Sequence, residues 1–386
     1  MTRTIAPWRI LACLVSAAAL ALPLEAAGPA SAASGSPAGH TARAAAISPP
    51  VSSGTLRIAG RLRDGSPVRA TGLSWRPSPL PPGDRLLSFA VAYVWRACAA
   101  RSGGRGRHCA KAADMALAVA GRLPAPGEPA AAIGCGTSHH IARAYAALRE
   151  ERDLGTTDAA IASGLSPHRS YGRVVAISRS GTTTEVLRTL EGLRGRVATV
   201  AVTAVPGSPV ALSADDAVVL DFANEQSVVQ TRFATTALAL LRAHVGDRLE
   251  AAIAGGEAAL ASALPVQPAE FRQFVFLGQG WTVGIANEAA LKLREAAAAW
   301  TEAYPAMEYR HGPISVAGPG TLVWAIGPID PSVLADAADT GATIVDEGSD
   351  PMAELVLIQR MAVELAEAHG LDPDHPRHLT RSVVLP

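Results

Sequence analysis

The chain has 386 residues, 34 Lys+Arg against 34 Asp+Glu, and a formal net charge of zero, with 49% hydrophobic, 4% aromatic and 18% charged residues. That length holds two or three domains with a sizeable core, and the apolar content excludes a disordered chain. Four cysteines are too few for a disulfide scaffold, and zero net charge removes the simplest argument for a nucleic-acid or acidic-membrane partner.

The zero is a sum of two unequal parts. Met1 to Ala110 carries 13 Arg, no Lys and three acids (Glu25, Asp64, Asp84), so 13 − 3 = +10. The remainder holds 34 − 13 = 21 bases and 34 − 3 = 31 acids, or −10. Such a shift marks a domain boundary near residue 110, with drift in an Arg-rich coding sequence as the alternative.

Residues 1–35 read as a signal-like segment: Arg3 and Arg9, then an apolar run from Ile10 to Leu24, then Ala30-Ser31-Ala32. Pro23 breaks the run and it is too short for a stable membrane span; an Ala-rich extension from a misassigned start is the competing reading. Residues 36–110 are expected to be a flexible linker followed by short antiparallel strands, including the run Phe89 to Trp95. Ser48-Pro49-Pro50 through Tyr93-Val94-Trp95 to Cys98 and Cys109 resembles the opening half of a bacterial immunoglobulin-like repeat. That resemblance would allow a Cys98–Cys109 disulfide; two free thiols are equally compatible with the sequence. Half a sandwich leaves strand edges unpaired, so this region is expected to be poorly packed and to hold no site.

A helical run begins at Lys111, and strands then alternate with helices. Ala130 to Ile133 reads as a buried strand running into Gly134-Cys135-Gly136-Thr137-Ser138, followed by a helix with Ile141, Tyr145 and Leu148 on one face. Val174 to Ile177 leads into Ser178-Arg179-Ser180-Gly181-Thr182-Thr183-Thr184 and a second helix. Val197–Val202 and Ala217–Leu220 are further strands, and Thr231–His244 a long helix. The order then restarts: Phe274 to Leu277, Gly278-Gln279-Gly280, a helix over Ala286–Trp300, strands at Leu322–Ile326 and Ala342–Val345, and a helix over Met352–His369. The expected fold is α/β with two tandem doubly wound parallel-sheet domains, 111–255 and 256–386.

A strand that enters a Gly-rich turn and then a helix presents free N–H groups and the positive end of a helix dipole to an anion. One such turn is weak evidence; two hydroxyl-rich turns at consecutive strand ends suit a phosphate monoester. Neither fits the dinucleotide or Walker pattern, and no other cofactor and no metal is indicated.

At these turns residues 111–386 resemble the sugar isomerase (SIS) domain family, represented by the isomerase half of glucosamine-6-phosphate synthase and by related deaminases and deglycases. Six runs carry the resemblance in order: Gly134 to Ser138, Ile177 to Thr183, Phe276 to Gly280, Glu288 to Glu295, Arg310-His311-Gly312-Pro313, and the tail Pro376 to Val383. The resemblance implies that Ser178, Ser180 and Thr183 hold the phosphate and that Cys135, Gly136, Thr137 and Ser138 line the sugar pocket; Thr182, another hydroxyl of the second turn, and Arg179 between its serines are counted with the substrate- or phosphate-binding residues. It places Val228, Gln230, Glu288 and Arg381 beside the substrate. Glu295 is implied as the base that moves a proton between C1 and C2. His311, reaching in from a second subunit of a homodimer, would assist ring opening.

The residues themselves are compatible with that chemistry. Glu288, Lys292 and Glu295 share one helical stripe, where a cation can set a carboxylate's pKa; a solvated charge ladder is the alternative. Lys292 is one of two lysines in a chain that otherwise uses arginine, and only lysine can act as an imine-forming amine. His311 precedes Gly-Pro in a turn-prone run, where a surface histidine is the ordinary reading.

Three features depart from the synthase pattern. No glutamine amidotransferase segment is recognised, Arg381 stands where the synthases carry an imine-forming lysine, and the helical lead-in is short, Lys111–Leu123. The expected function is therefore isomerisation, or deamination or deglycation of an amino-sugar phosphate, in the cytoplasm. A non-catalytic phosphosugar sensor and, if the N-terminus is genuine, an exported binding protein are the alternatives.

Overall fold

The computed structural model describes residues 51–53, 57–59, 69–71 and 74–76, and then residues 105–385 apart from Pro167. The signal-like segment, the linker, the run before Cys98, Cys98 itself and the side chain of Cys109 lie outside the described residues. The chain divides into two units at Ala100/Arg101, ten residues before the charge seam. In the first unit β1 (Val51–Ser53) pairs antiparallel with β4 (Ser74–Arg76), and β2 (Arg57–Ala59) with β3 (Arg69–Thr71). These are two separate two-stranded ribbons, and the described residues contain no sheet-on-sheet sandwich.

The second unit opens with α1 (Arg105–Val119), a start six residues earlier than the composition suggested. The first sheet has the order β6-β5-β7-β8-β9, built from β5 (Ala130–Gly134), β6 (Thr157–Ile161), β7 (Arg173–Ile177), β8 (Ala198–Thr203) and β9 (Asp216–Val219). Every pairing is parallel. Its helices are α2 (Thr137–Glu151), α3 (Thr184–Leu193), the short α4 (Pro209–Ser213) and α5 (Arg232–His244). The second sheet, β11-β10-β12-β13, repeats the same winding with β10 (Gln273–Gly278), β11 (Thr301–Pro305), β12 (Thr321–Ile326) and β13 (Thr343–Val345). Its helices are α7 (Thr282–Ala297), α8 (Pro331–Asp339) and α9 (Pro351–Ala368). The apolar runs of β5 and β12 are buried along their whole length, as strands covered on both faces must be.

One core joins the two halves. Ile141 and Tyr145 of α2, Phe233 and Leu238 of α5, Phe276, Leu293 of α7 and Trp324 pack in a single cluster, while smaller clusters fill the outer face of each sheet. Ala112, Ala116 and Val119 of α1 are buried in it too, so the short lead-in covers its face rather than leaving the sheet exposed. The inter-domain boundary expected at 255/256 falls inside a helix, α6 (Glu250–Ala261). At the centre α2 and α7 run antiparallel and very close: a Cβ on Gly284 would lie 2.7 Å from the Ala144 nitrogen and the His140 carbonyl oxygen. Only glycine permits that approach.

Candidate active site

In each sheet the strand order reverses beside the first strand, and ligands of open α/β sheets bind outside the C-terminal strand ends at that reversal. In the first sheet two turns flank it, Gly134–Ser138 after β5 and Ser178–Thr184 after β7. Gly136 adopts φ +54°, a left-handed conformation that glycine takes without a side-chain penalty.

The second turn is a web of hydroxyls. Gly181 N–H donates to Ser178 Oγ at 3.2 Å, Thr182 donates to Ser180 Oγ from both its N–H and its hydroxyl at 3.2 and 3.1 Å, and Ser178 and Thr183 hydroxyls lie 3.4 Å apart. The tail returns to this turn. Thr182 Oγ1 and Ser382 Oγ lie 3.0 Å apart, within hydrogen-bond distance, and Thr184 N–H, at the start of α3, donates to the Val383 carbonyl at 3.2 Å.

Arg179 is not turned into this web. Its buried guanidinium donates to the Ser227 and Val228 carbonyls at 2.8 and 2.9 Å and to the Arg381 carbonyl at 3.3 Å. Burial pulls its pKa down to about 10, with Glu225 opposing. The expected phosphate contact through the Arg179 side chain is replaced by a structural one that holds the 227–228 loop and the tail together. Arg381 behaves alike: its guanidinium bonds the Glu225 carbonyl and, at 2.5 Å, Asn224 Oδ1. Val228 N–H is donated to Asp374 O at 3.2 Å, and Gln230 Oε1 is buried without a protein partner.

The first turn meets α7. Lys292 Nζ, 1% exposed, donates to Thr137 Oγ1 at 2.9 Å and to Glu295 Oε2 at 2.5 Å, and lies 3.3 Å from Glu288 Oε1. Thr137 Oγ1 also donates to Glu288 at 3.2 Å. The solvated-ladder reading of this stripe is therefore overturned. Burial pushes the Glu288 carboxyl up to about 7, against the pull of Lys292, while two carboxylates hold Lys292 above its usual value despite burial. Glu295 is the partly exposed member and borders a cavity of about 440 Å³ whose walls include Leu291, Arg294, His375 and Arg377.

Cys135 is half-buried, its thiol 3.5 Å from Glu185 Oε2; burial and then that carboxylate push it up to about 11, so it stays a thiol. Ser138 is buried against Gly134. His311 is exposed and is not brought to the cluster. It follows β11, whose end pairs with Gly278 at the opening of α7, whereas Glu295 lies 295 − 282 = 13 residues along that helix, about 20 Å at its rise per residue.

Sequence reasoning missed His140, which burial lowers to about 3 beside Lys292 and Arg294, and Glu225, whose carboxylate caps α5 by accepting from Thr231, Arg232 and Phe233 N–H. A Glu six residues before a helical run is the one visible signal for the cap. Ser382 was inside a motif but carried no role. Among the described residues no group of three His, Cys, Asp or Glu side chains is placed to hold a metal.

No family model matches the chain. Among curated proteins it is similar to the glutamine–fructose-6-phosphate aminotransferase (isomerizing) of Aeropyrum pernix, 30% identical over 336 residues that cover 70% of this chain and 54% of that one. The Methanothermobacter thermautotrophicus protein of the same name is 28% identical over 300 residues, 66% and 51% of the two chains. The chain thus spans about half the length of the curated relatives it matches. Among solved structures, glucosamine-6-phosphate deaminase from Thermotoga maritima aligns at TM-score 0.63 and 25% identity, over 72% of this chain and 98% of that one. The tagatose-6-phosphate ketose/aldose isomerase of Escherichia coli, at TM-score 0.60 and 18% identity over 73% and 93%, shares the fold. With two parallel sheets wound alike and hydroxyl turns at the first reversal point, the chain belongs to the sugar isomerase (SIS) domain family.

Proposed function

We propose that the chain binds a sugar phosphate across the two turns of the first sheet and moves a proton between C1 and C2 with Glu295 as the base. The result is aldose–ketose isomerisation, or deamination when C2 carries an amine: the shifted imine takes up water and releases ammonia. The observation that carries this reading is the buried Lys292 ammonium, joined to Thr137 of the first turn, 155 residues away in sequence, and to both Glu288 and Glu295. Lys292 holds one oxygen of the partly exposed Glu295, which lines the cavity, an arrangement compatible with a positioned base. The hydroxyls of Ser178, Ser180 and Thr183 and the N–H groups opening α3 would take the phosphate, with the tail at Ser382 yielding or sharing the turn.

Arg381 argues against an imine-forming synthase reaction, since a guanidinium committed to Asn224 and Glu225 cannot condense with a carbonyl. The distance of His311 from Glu295 supports a homodimer in which each site borrows the partner's loop. Among the described residues no helix is long and apolar enough to cross a membrane.

Glu295→Gln should lower kcat by about 10²–10⁴ on the active sugar phosphate, the range for losing a positioned base, while thermal-shift binding persists. Full turnover by that variant would refute the proton-transfer role. A panel of hexose and hexosamine 6-phosphates, scored first for binding and then for product, identifies the substrate.

A further inference from the structure

The turn from Gly134 to Ser138 is built on two glycines. A Cβ on Gly134 would lie 2.6 Å from the Ser138 carbonyl carbon, so the chain doubles back tightly there, and Gly136 sits at a left-handed φ. Glycine has no side chain to pin its backbone and loses the most conformational freedom on folding, so the course of this turn depends on anchors at the residues beside it. Thr137 is anchored from α7, through Lys292 Nζ at 2.9 Å and Glu288 Oε1 at 3.2 Å. Cys135 packs instead with the outer cluster of the first sheet, and it is anchored from α3.

That anchor is Glu185, in the first turn of α3. A carboxylate there ordinarily serves its own helix, as a cap or through the dipole. Here no side chain caps α3, and the Thr184 N–H that opens it is taken by the Val383 carbonyl. Glu185 reaches the neighbouring strand ends: its Oε2 accepts from the Cys135 thiol at 3.5 Å and its Oε1 from the Ser163 hydroxyl at 2.9 Å. One turn along the same helix, Thr189 Oγ1 donates to the Ala162 carbonyl at 2.8 Å. The turn after β5, the segment after β6 and the start of α3 are thus fastened at one point. The fastening spans the reversal point between β5 and β7, where the substrate is expected.

We propose that Glu185 is a positioning residue for the reaction: through Cys135 it fixes the Gly134–Ser138 turn, and with it the groups that meet the sugar, without itself touching the substrate. The proposal rests on the reading of that turn as the sugar pocket. The effect belongs to binding rather than to proton transfer, because the base, Glu295, is held by Lys292 on another helix.

Steady-state kinetics on the sugar phosphate found by the panel, together with thiol labelling of the whole chain, test it. Glu185→Leu offers neither donor an acceptor, and it should raise KM by about 3- to 10-fold, the equivalent of one net hydrogen bond, with little change in kcat. Cys135→Ala should do the same, and combining the two should add nothing further, as for partners in one contact. Glu185→Gln, which keeps one accepting oxygen, should fall between wild type and Glu185→Leu. Cys135→Ser, which restores a donor, should raise KM less than Cys135→Ala.

The labelling reads the contact directly. Iodoacetamide modification of Cys135 can be followed on the tryptic peptide Leu123–Arg143, which holds no other cysteine. At about pH 8.5 it should be several-fold faster in both Glu185→Leu and Glu185→Gln, because the carboxylate helps to keep the thiol protonated. A loss confined to kcat, full additivity of Glu185→Leu with Cys135→Ala, or labelling at the wild-type rate in variants of unchanged melting temperature would overturn the proposal. Faster labelling in the variants of a chain that neither binds nor turns over any sugar phosphate would sink the sugar-pocket reading and leave the bridge standing.

Discussion

Lys292 shows how one side chain can be both a structural and a chemical requirement. It is buried between two carboxylates and a hydroxyl, so removing it strands Glu288, whose Oε2 already lacks a partner. Lys292→Met is expected to destabilise the fold by about 3 kcal/mol, the scale for an uncompensated buried charge. Adding Glu288→Gln should restore most of that stability in denaturant titrations without restoring turnover. Recovery of both would reduce the cluster to a packing role. The i, i+4 and i, i+3 spacing of this stripe was readable in the sequence, as was the rarity of lysine. That the stripe faces inward and meets Thr137 was not, because helical spacing says which residues share a face and nothing about what that face touches. The same limit produced the misplacement of Arg179: a guanidinium between two phosphate-turn serines reads as a ligand until its carbonyl partners are seen.

At the level of elements, strongly apolar strands and long helices were legible and edge strands were not. β6 (Thr-Asp-Ala-Ala-Ile) and β11 (Thr-Glu-Ala-Tyr-Pro) are the outer strands of their sheets and only partly buried, so neither alternation nor an apolar run betrays them. The helix assigned to Ala286–Trp300 in fact ends at Ala297, where Ala298 takes a left-handed φ of +52°. Arg149 shows what fastens such an edge: from full burial its guanidinium reaches Thr157 of β6 and the Pro124, Ala125, Glu128 and Leu154 carbonyls. Arg149→Met should cost on the order of 3 kcal/mol through the acceptors it strands, and Arg149→Lys should recover little because one ammonium cannot serve that fork.

Helix α9 carries a different liability. Glu354 is fully buried, accepts from Trp324 Nε1 at 3.3 Å, and burial raises it from 4.5 to about 8. A carboxyl raised in the folded state stabilises fully below its unfolded value, and that stability is lost as pH rises through the folded one. The melting temperature should therefore fall as pH rises from about 4.5 to about 8 and level off above that. Glu288, at about 7, shares the lower part of that window. Glu354→Gln should flatten the decline between about pH 4.5 and pH 8 while leaving the contribution of His140 and His244, which are held below their usual values, unchanged. An identical slope in the variant would remove Glu354 as the cause.

For the whole molecule, duplication was visible in the restarted strand–turn–helix order, but the sharing of one core by both halves was not. The homodimer proposal has a direct test: mixing inactive Glu295→Gln with inactive His311→Ala should restore up to about a quarter of wild-type activity. Random pairing forms the complementing dimer half the time, with one intact site of two. No recovery after mixing and reassembly would place His311 outside the shared site.

The tail has a consequence for how the protein comes into being. Thr182, Thr183 and Thr184 find their partners in Ser382, Val383 and Leu385, 199 to 201 residues later. Both sheets and nearly all of the shared core are complete in sequence before those residues appear. During synthesis the chain can therefore fold its first half while the turn of β7 still waits for its last neighbours, and the site is finished only when residues 381–385 leave the ribosome. The turn of β7 is thus made about half a chain before the residues that complete its hydrogen bonds.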